Sequence, residues 1–273
     1  MDLPITISVD ELLREHYPRL ERLLPRSLKE RLERALCIDR MNGYIIRNHN
    51  RTTIDFLGRF LRAMDVGCRV EGVENLRAEG RYTIVANHPL GGLDGIALAW
   101  TMLAHMGDVK VVVNEVYMKV RPLQSLWLPV RRTGRQSADM VRAMYEALCS
   151  DVPIVTFPAG CCSRRRGGEI VDAEWHPSFV RRSINHNRAI VPVYVEGRLS
   201  NRFYRMAWLR RIVGLKTSFE MYLLPSEMYR CQGSEILVRI GAPIPVSDIA
   251  DMGSSAEACR QIRERVYAMR LNS

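Results

Sequence analysis

The sequence carries none of the short motifs that mark the commonest catalytic and cofactor-binding folds. No GxSxG elbow is present to expose a serine nucleophile, and neither GxGxxG nor GxxxxGKS/T occurs to cradle a dinucleotide or a nucleoside triphosphate. The seven cysteines form no CxxC pair, which excludes a zinc ribbon and argues against a disulfide framework. Reduced thiols, as in the cytoplasm, fit this usage. Aromatic residues are 7% of the chain, few for a surface that stacks nucleic-acid bases. The first residues lack the basic and apolar regions of a signal peptide. The most apolar run, residues 95–107 (GIALAWTMLAHMG), is too short to cross a bilayer.

What is present is an ordinary globular composition with a strong basic excess. Of 273 residues, 47% are hydrophobic and 26% charged, which excludes a disordered or collagen-like chain. Forty Lys and Arg against thirty Asp and Glu leave a net charge of +10, so an anionic partner is expected. The excess is concentrated. Between Arg164 and Lys216 twelve basic and four acidic residues give +8, either a solvated basic face or a surface for anions.

Residues 1–65 read as an amphipathic, Arg-rich helical region. Ser8 and Ser27 each open a capping-box pattern, Pro18 should break the first helix, and Leu57, Phe60, Leu61 and Met64 share a helical face. This region is expected to cap the core, with part of its apolar stripe docking on lipid. From residue 66 to 273 short β-branched runs (82–86, 109–113, 153–157, 189–195 and 235–240) alternate with helical patterns. That texture predicts one α/β domain, a sheet flanked by helices.

Four segments carry chemistry. In residues 84–95 (IVANHPLGGLDG) an apolar strand runs into Asn87, His88 and Pro89, two glycines and then Asp94 at a helix start. Functional residues of α/β folds gather at the carboxyl ends of strands. Pro89 holds His88 out of the helical region, and Gly91 and Gly92 permit a sharp turn and close approach. A carboxylate at Asp94 would orient the imidazole and make it more basic, as a general base requires. In residues 154–166 (IVTFPAGCCSRRR) Gly160, Ser163 and Arg164 offer donors to an oxyanion or phosphate, unless the segment is a plain surface turn. Cys161 or Cys162 could be a thiol nucleophile, although cysteines more often fill small buried spaces. In the third, Pro192 suits an edge strand or a strand end, with Arg198 at its exit. In the fourth, Arg131 and Arg132 emerge between helical stretches. Either arginine group could bind an anion or be solvated.

In this order the segments resemble the glycerolipid acyltransferase family, which includes the lysophosphatidate acyltransferases. Asn87-His88 through Asp94 look like its N-H-x4-D block, and Arg131-Arg132 lie where its second block is expected. Phe157-Pro158-Ala159-Gly160 look like its F-P-E-G-type third block and Val191-Pro192-Val193 like its fourth. The likeness spans residues 66–244. Five residues rather than four separate His88 from Asp94, and Ala159 stands where the family usually has Glu. Both departures are similar to a branch with NHPxGGxD and FPAGxxSR patterns, which includes hemolysin-like proteins and the O-acyltransferases of amino-acid lipids.

The resemblance implies a mixed sheet flanked by helices and an acyl transfer. His88, paired with Asp94, would take the proton from a lipid hydroxyl as it attacks the thioester of acyl carrier protein or coenzyme A. Neither a covalent acyl-enzyme nor a cofactor or metal is required. Asn87, Gly91, Gly92 and Gly160 would surround the substrate, with backbone N–H groups near the glycines facing the oxyanion. Arg131 or Arg132, Ser163, Arg164 and Arg198 would hold the acceptor's phosphate or carboxylate. The acceptor of that branch is a lyso-ornithine or lyso-glycine lipid, and the alternative is 1-acylglycerol-3-phosphate. The basic stretch would face acyl carrier protein or anionic lipid, with the enzyme peripheral on the cytoplasmic leaflet. Two readings from other classes compete. A nucleic-acid-binding protein lacks a recognised motif here, and a membrane-surface protein without catalysis would not need His88 and Asp94.

Overall fold

The computed structural model describes residues 8–16, 18–77, 79–131, 134–214 and 219–272. Five helices come first: α1 (Val9–His16), α2 (Pro18–Leu23), α3 (Arg26–Ala35), α4 (Ile38–Asn48) and α5 (Thr53–Ala63). Pro18 divides the first two, as its missing N–H requires. Ser8 serves α1 as expected, its Oγ accepting the Asp10 N–H at 3.1 Å. The capping box expected at Ser27 does not form. Pro25 occupies the N-cap of α3, its φ of −59° already setting the entry, and Ser27 falls inside the first turn.

The remaining elements alternate. Strand β1 (Gly67–Glu71) and β2 (Tyr82–Ala86) precede α6 (Gly92–Met106), β3 (Lys110–Asn114), β4 (Trp127–Val130), α7 (Ala138–Cys149) and β5 (Ile154–Thr156). A hairpin of β6 (Arg164–Arg166) and β7 (Glu169–Val171) follows, then α8 (Ser178–Asn185), β8 (Ala189–Val195) and α9 (Asn201–Ile212). The chain closes with α10 (Leu224–Arg230), β9 (Glu235–Ile240), α11 (Val246–Asp251) and α12 (Ser255–Ala268). Seven strands form one sheet in the order β1-β9-β8-β2-β5-β3-β4, parallel at every pair except β8 with β9. This is the expected mixed sheet flanked by helices. Strands β8, β2, β5, β3 and β4 therefore end on one edge, and the loops leaving that edge carry the chemistry.

Side chains alternate between the two faces of the sheet. Ile84 and Ala86, with Val191, Val193 and Val195, join Leu93, Ala97, Leu98 and Met102 of α6 and Phe56, Leu57 and Phe60 of α5 in one core. Val85, Ile190 and Tyr194 face the other way, onto Phe179 of α8 and Ile262 and Val266 of α12. Tyr44 and Ile45 of α4 belong to the first core, so α4 and α5 contribute side chains to it, with α5 packed against α6.

Three sequence expectations are corrected here. Pro192 lies neither on an edge nor at a strand end, because β8 pairs with both β2 and β9. The proline is accommodated where β9 has left the ladder: the Gly241 N–H donates to the Pro192 carbonyl at 2.9 Å, and pairing resumes at Ile190 with Ile244. Arg131 does not emerge between helical stretches, because Trp127–Val130 before it form the edge strand β4. The basic stretch is not one face. Arg188 is fully buried, its guanidinium donating to the carbonyls of Tyr82, Ala147, Leu148, Ser150 and Val152, while Arg164 and Arg210 both pair with buried Glu220.

Candidate active site

His88 leaves the carboxyl end of β2, and Asp94 lies in the first turn of α6. The intervening residues wind so that Asp94, wholly buried, meets the His88 Nδ1 at 2.8 Å. Both carboxylate oxygens also accept the Leu90 N–H, at 3.0 and 2.9 Å, which fixes the carboxylate plane. An ionised Asp94 keeps the proton of the neutral imidazole on Nδ1, so Nε2 presents a lone pair. Gly91 turns the chain between histidine and aspartate with a φ of +68°. A Cβ there would stand 2.8 Å from Leu224 and 3.2 Å from the Cys162 sulfur.

The imidazole is held on three further sides. Phe157, at the exit of β5, stacks on it with ring centroids 4.2 Å apart. The Cys162 thiol lies near enough to the ring to act on its charge. The main chain of His88 is anchored as well, its carbonyl accepting the Ser163 N–H at 2.8 Å and its N–H donating to Asp172 at 3.2 Å. Burial works most strongly against protonation of the ring, but Cys162 and Asp94 oppose it and together hold the His88 pKa well above 6.5. Burial likewise pushes the Asp94 carboxyl up from 3.8, against the pull of His88 and the Leu90 N–H.

Asp172 escaped sequence analysis. Buried behind the histidine, it accepts the Ser163 hydroxyl at 2.6 Å and the Trp175 indole N–H at 2.9 Å, and its own N–H donates to the Tyr267 hydroxyl at 2.8 Å. It thus ties the first and third blocks to α12. Its partners are mostly remote in sequence, and only Trp175, three residues on, offered a local hint. Asp172→Asn should lower kcat about tenfold to a hundredfold through a displaced base while leaving KM within about twofold. Steady-state kinetics at saturating donor would show it, and a matching rise in KM would assign Asp172 to substrate contact instead.

The other expected site residues are distributed unevenly. Asn87 is buried, and its side-chain amide exchanges two hydrogen bonds with the Val195 backbone, at 2.8 and 2.7 Å, adding a rung between the ends of β2 and β8. Gly92 opens α6, where the Asp94 N–H already donates to the Gly91 carbonyl at 3.2 Å and the N–H groups of Gly92 and Leu93 precede the first bond of the helix. Gly160 turns back on β5, its N–H donating to the Phe157 carbonyl at 2.9 Å. The Ser163 hydroxyl points to Asp172, and Arg164 reaches Glu220 at 2.8 Å. Arg198 is exposed at the exit of β8 and donates to Asn201 at 2.9 Å. Arg131 ends the edge strand β4, three strands from β2, and its Nε sits 3.0 Å from both Glu115 oxygens. At about 4.8 Å per strand that is roughly 14 Å from the histidine strand. Arg132 lies outside the described residues. All seven cysteines are free thiols.

A base–carboxylate couple at a strand exit, without a serine elbow, suits transfer to a hydroxyl. The family model described as Acyltransferase matches residues 11–273. The chain belongs to this acyltransferase family. Among curated proteins the acyltransferase is 34% identical over 264 residues to the lyso-glycine lipid O-acyltransferase of Bacteroides thetaiotaomicron, covering 96% of this chain and 97% of that one. It is also 34% identical to the protein of the same name from Phocaeicola vulgatus, over 96% and 95% of the two chains. Among solved structures it is similar to the 1-acyl-sn-glycerophosphate acyltransferase PlsC of Thermotoga maritima, at 14% identity and a TM-score of 0.45, covering 85% of this chain and 89% of that one.

Proposed function

We propose that this acyltransferase moves a fatty acyl group from an acyl thioester to the hydroxyl of a lyso-amino-acid lipid, with lyso-glycine lipid as the leading acceptor. The observation that carries the chemistry is the half-buried His88 held at 2.8 Å by the fully buried Asp94. The two relatives named for lyso-glycine lipid, matched along almost the whole chain, support the acceptor. His88 Nε2 takes the hydroxyl proton as the acceptor oxygen attacks the thioester carbon. The C–S bond breaks, the ester C–O bond remains, and the proton passes from His88 to the departing thiolate. Acyl carrier protein and coenzyme A both supply such a thioester. The open N–H groups at the start of α6, beside Gly92, are suited to the tetrahedral oxyanion.

Asn87, Ser163 and Arg164 act in this scheme by positioning, since their polar groups are engaged within the protein. Arg198 is the cation best placed for the acceptor carboxylate, being exposed where β8 leaves the sheet beside β2. The protein works at the membrane surface where lysolipid resides, on the cytoplasmic side where the thioesters are made. Among the described residues no helix is long and apolar enough to cross a membrane.

An acyl-transfer assay tests this directly. Detergent-dispersed lyso-glycine lipid, lyso-ornithine lipid and lysophosphatidate are compared, each with acyl carrier protein and coenzyme A thioesters. Diacylated glycine lipid should form fastest, and the intact protein mass should stay unchanged by acyl donor alone. Preferred acylation of lysophosphatidate would overturn the acceptor. A stable acyl adduct lost in Cys162→Ala would replace the direct transfer by a thiol relay.

A further inference from the structure

Helix α9 carries apolar side chains on both of its faces. Phe203, Tyr204 and Ala207 are buried, the first two against Cys162, Leu199, Leu223 and Leu224. On the outer side Trp208, Leu209 and Ile212, and Val213 just beyond the helix, are each more than half exposed. Scattered exposed apolar residues are ordinary, but four within one and a half turns form a patch. The helical step puts Arg205 on the same outward face, with Arg202 and Arg211 at its margins. Nearby, Arg165 and Arg198 both donate to the neutral Asn201 Oδ1, at 3.0 and 2.9 Å. None of Arg165, Arg166, Arg198, Arg202, Arg205 and Arg211, all exposed, meets a carboxylate among the described residues.

The N-terminal helices offer a contrast. Leu23 and Leu28 are exposed there too, but some of the cations around them are held by carboxylates. Lys29 pairs with Asp10 at 2.7 Å and Glu21 at 2.9 Å, and Arg26 with Glu30 at 3.0 Å.

We propose that the outer face of α9 is the surface by which this acyltransferase rests on an anionic membrane. Trp208, Leu209, Ile212 and Val213 enter the boundary between headgroups and acyl chains, while the arginines extend their methylenes along it and place guanidiniums on lipid phosphates. An acidic protein partner would match the arginines but leave four apolar side chains without a counterpart. Placement favours lipid as well. The inner face of α9 packs on Cys162, which lies near His88, so one helix of about 10 Å diameter links the docking surface to the catalytic loop.

Flotation with vesicles tests this without any turnover, and so independently of the proposed acceptor. The wild type should float with equimolar phosphatidylglycerol and phosphatidylcholine, and less with phosphatidylcholine alone. Trp208→Ser with Ile212→Ser should weaken vesicle binding about tenfold or more. Arg202→Gln, Arg205→Gln and Arg211→Gln should each cost about fivefold on anionic vesicles only. All should keep wild-type thermal unfolding and wild-type turnover of detergent-dispersed acceptor. If these variants float like the wild type while Leu23→Ser with Leu28→Ser does not, the N-terminal helices are the docking surface and the proposal falls. It falls equally if flotation is unchanged and KM for acyl carrier protein thioester rises, because α9 would then be a protein interface.

Discussion

His88→Ala is expected to lower kcat by about 10²–10⁴-fold with little change in KM for the acceptor. The imidazole accepts a proton only as the new bond forms, so its loss removes stabilisation of the transition state rather than ground-state binding. Asp94→Asn should fall short of that loss, because the ring remains while its tautomer and basicity are no longer imposed. The pH profile separates the two effects. A general base must be neutral, and Asp94 helps hold the His88 pKa above 6.5, so the acid limb of kcat/KM should have its midpoint above 6.5. Replacing Asp94 should move that midpoint down while lowering the plateau. A wild-type limb centred below 6.5 would show that the carboxylate does not raise the base.

This couple was legible in the sequence because its parts lie close together. An apolar strand, a proline, two glycines and a helix start leave few ways to place an aspartate six residues beyond a histidine. Runs 82–86, 189–195 and 235–240 coincide with β2, β8 and β9, interior strands whose apolar residues are buried on the sheet. The strands that escaped notice are the β6–β7 hairpin and the two edges of the main sheet. β1 (GCRVE) is largely polar and β4 (WLPV) contains a proline, both tolerated where one side of a strand has no partner. Asp172 and Glu220 were illegible for another reason: each is defined by partners that only the folded chain brings near.

Arg188→Met should destabilise the protein by about 3 kcal/mol or more. Read as a member of the basic stretch, this residue is among the most deeply buried side chains described, and it forms no ion pair among the described residues, with Asp151 favouring its charge only at a distance. Burial draws its pKa down to about 10, which leaves it charged at neutral pH. The carbonyls it serves close the C-terminal end of α7 and the approaches to β5 and β2, so the guanidinium fastens three elements at the edge opposite the catalytic loops. Methionine matches much of the volume but offers no donor, and several buried carbonyls would be left unpaired at once. Urea denaturation should show a lower midpoint at unchanged slope. A loss below about 1 kcal/mol would mean that water takes over the carbonyls. Catalysis by the folded fraction should be unaffected, which distinguishes this variant from His88→Ala.

The bond from the Asp172 backbone to the Tyr267 hydroxyl has a consequence for biosynthesis. Tyr267 is translated 179 residues after His88, yet its hydroxyl holds the backbone of the aspartate that braces the His88 main chain. That brace can therefore close only after α12 has been made, so the loop around His88 is completed by a segment far downstream of it.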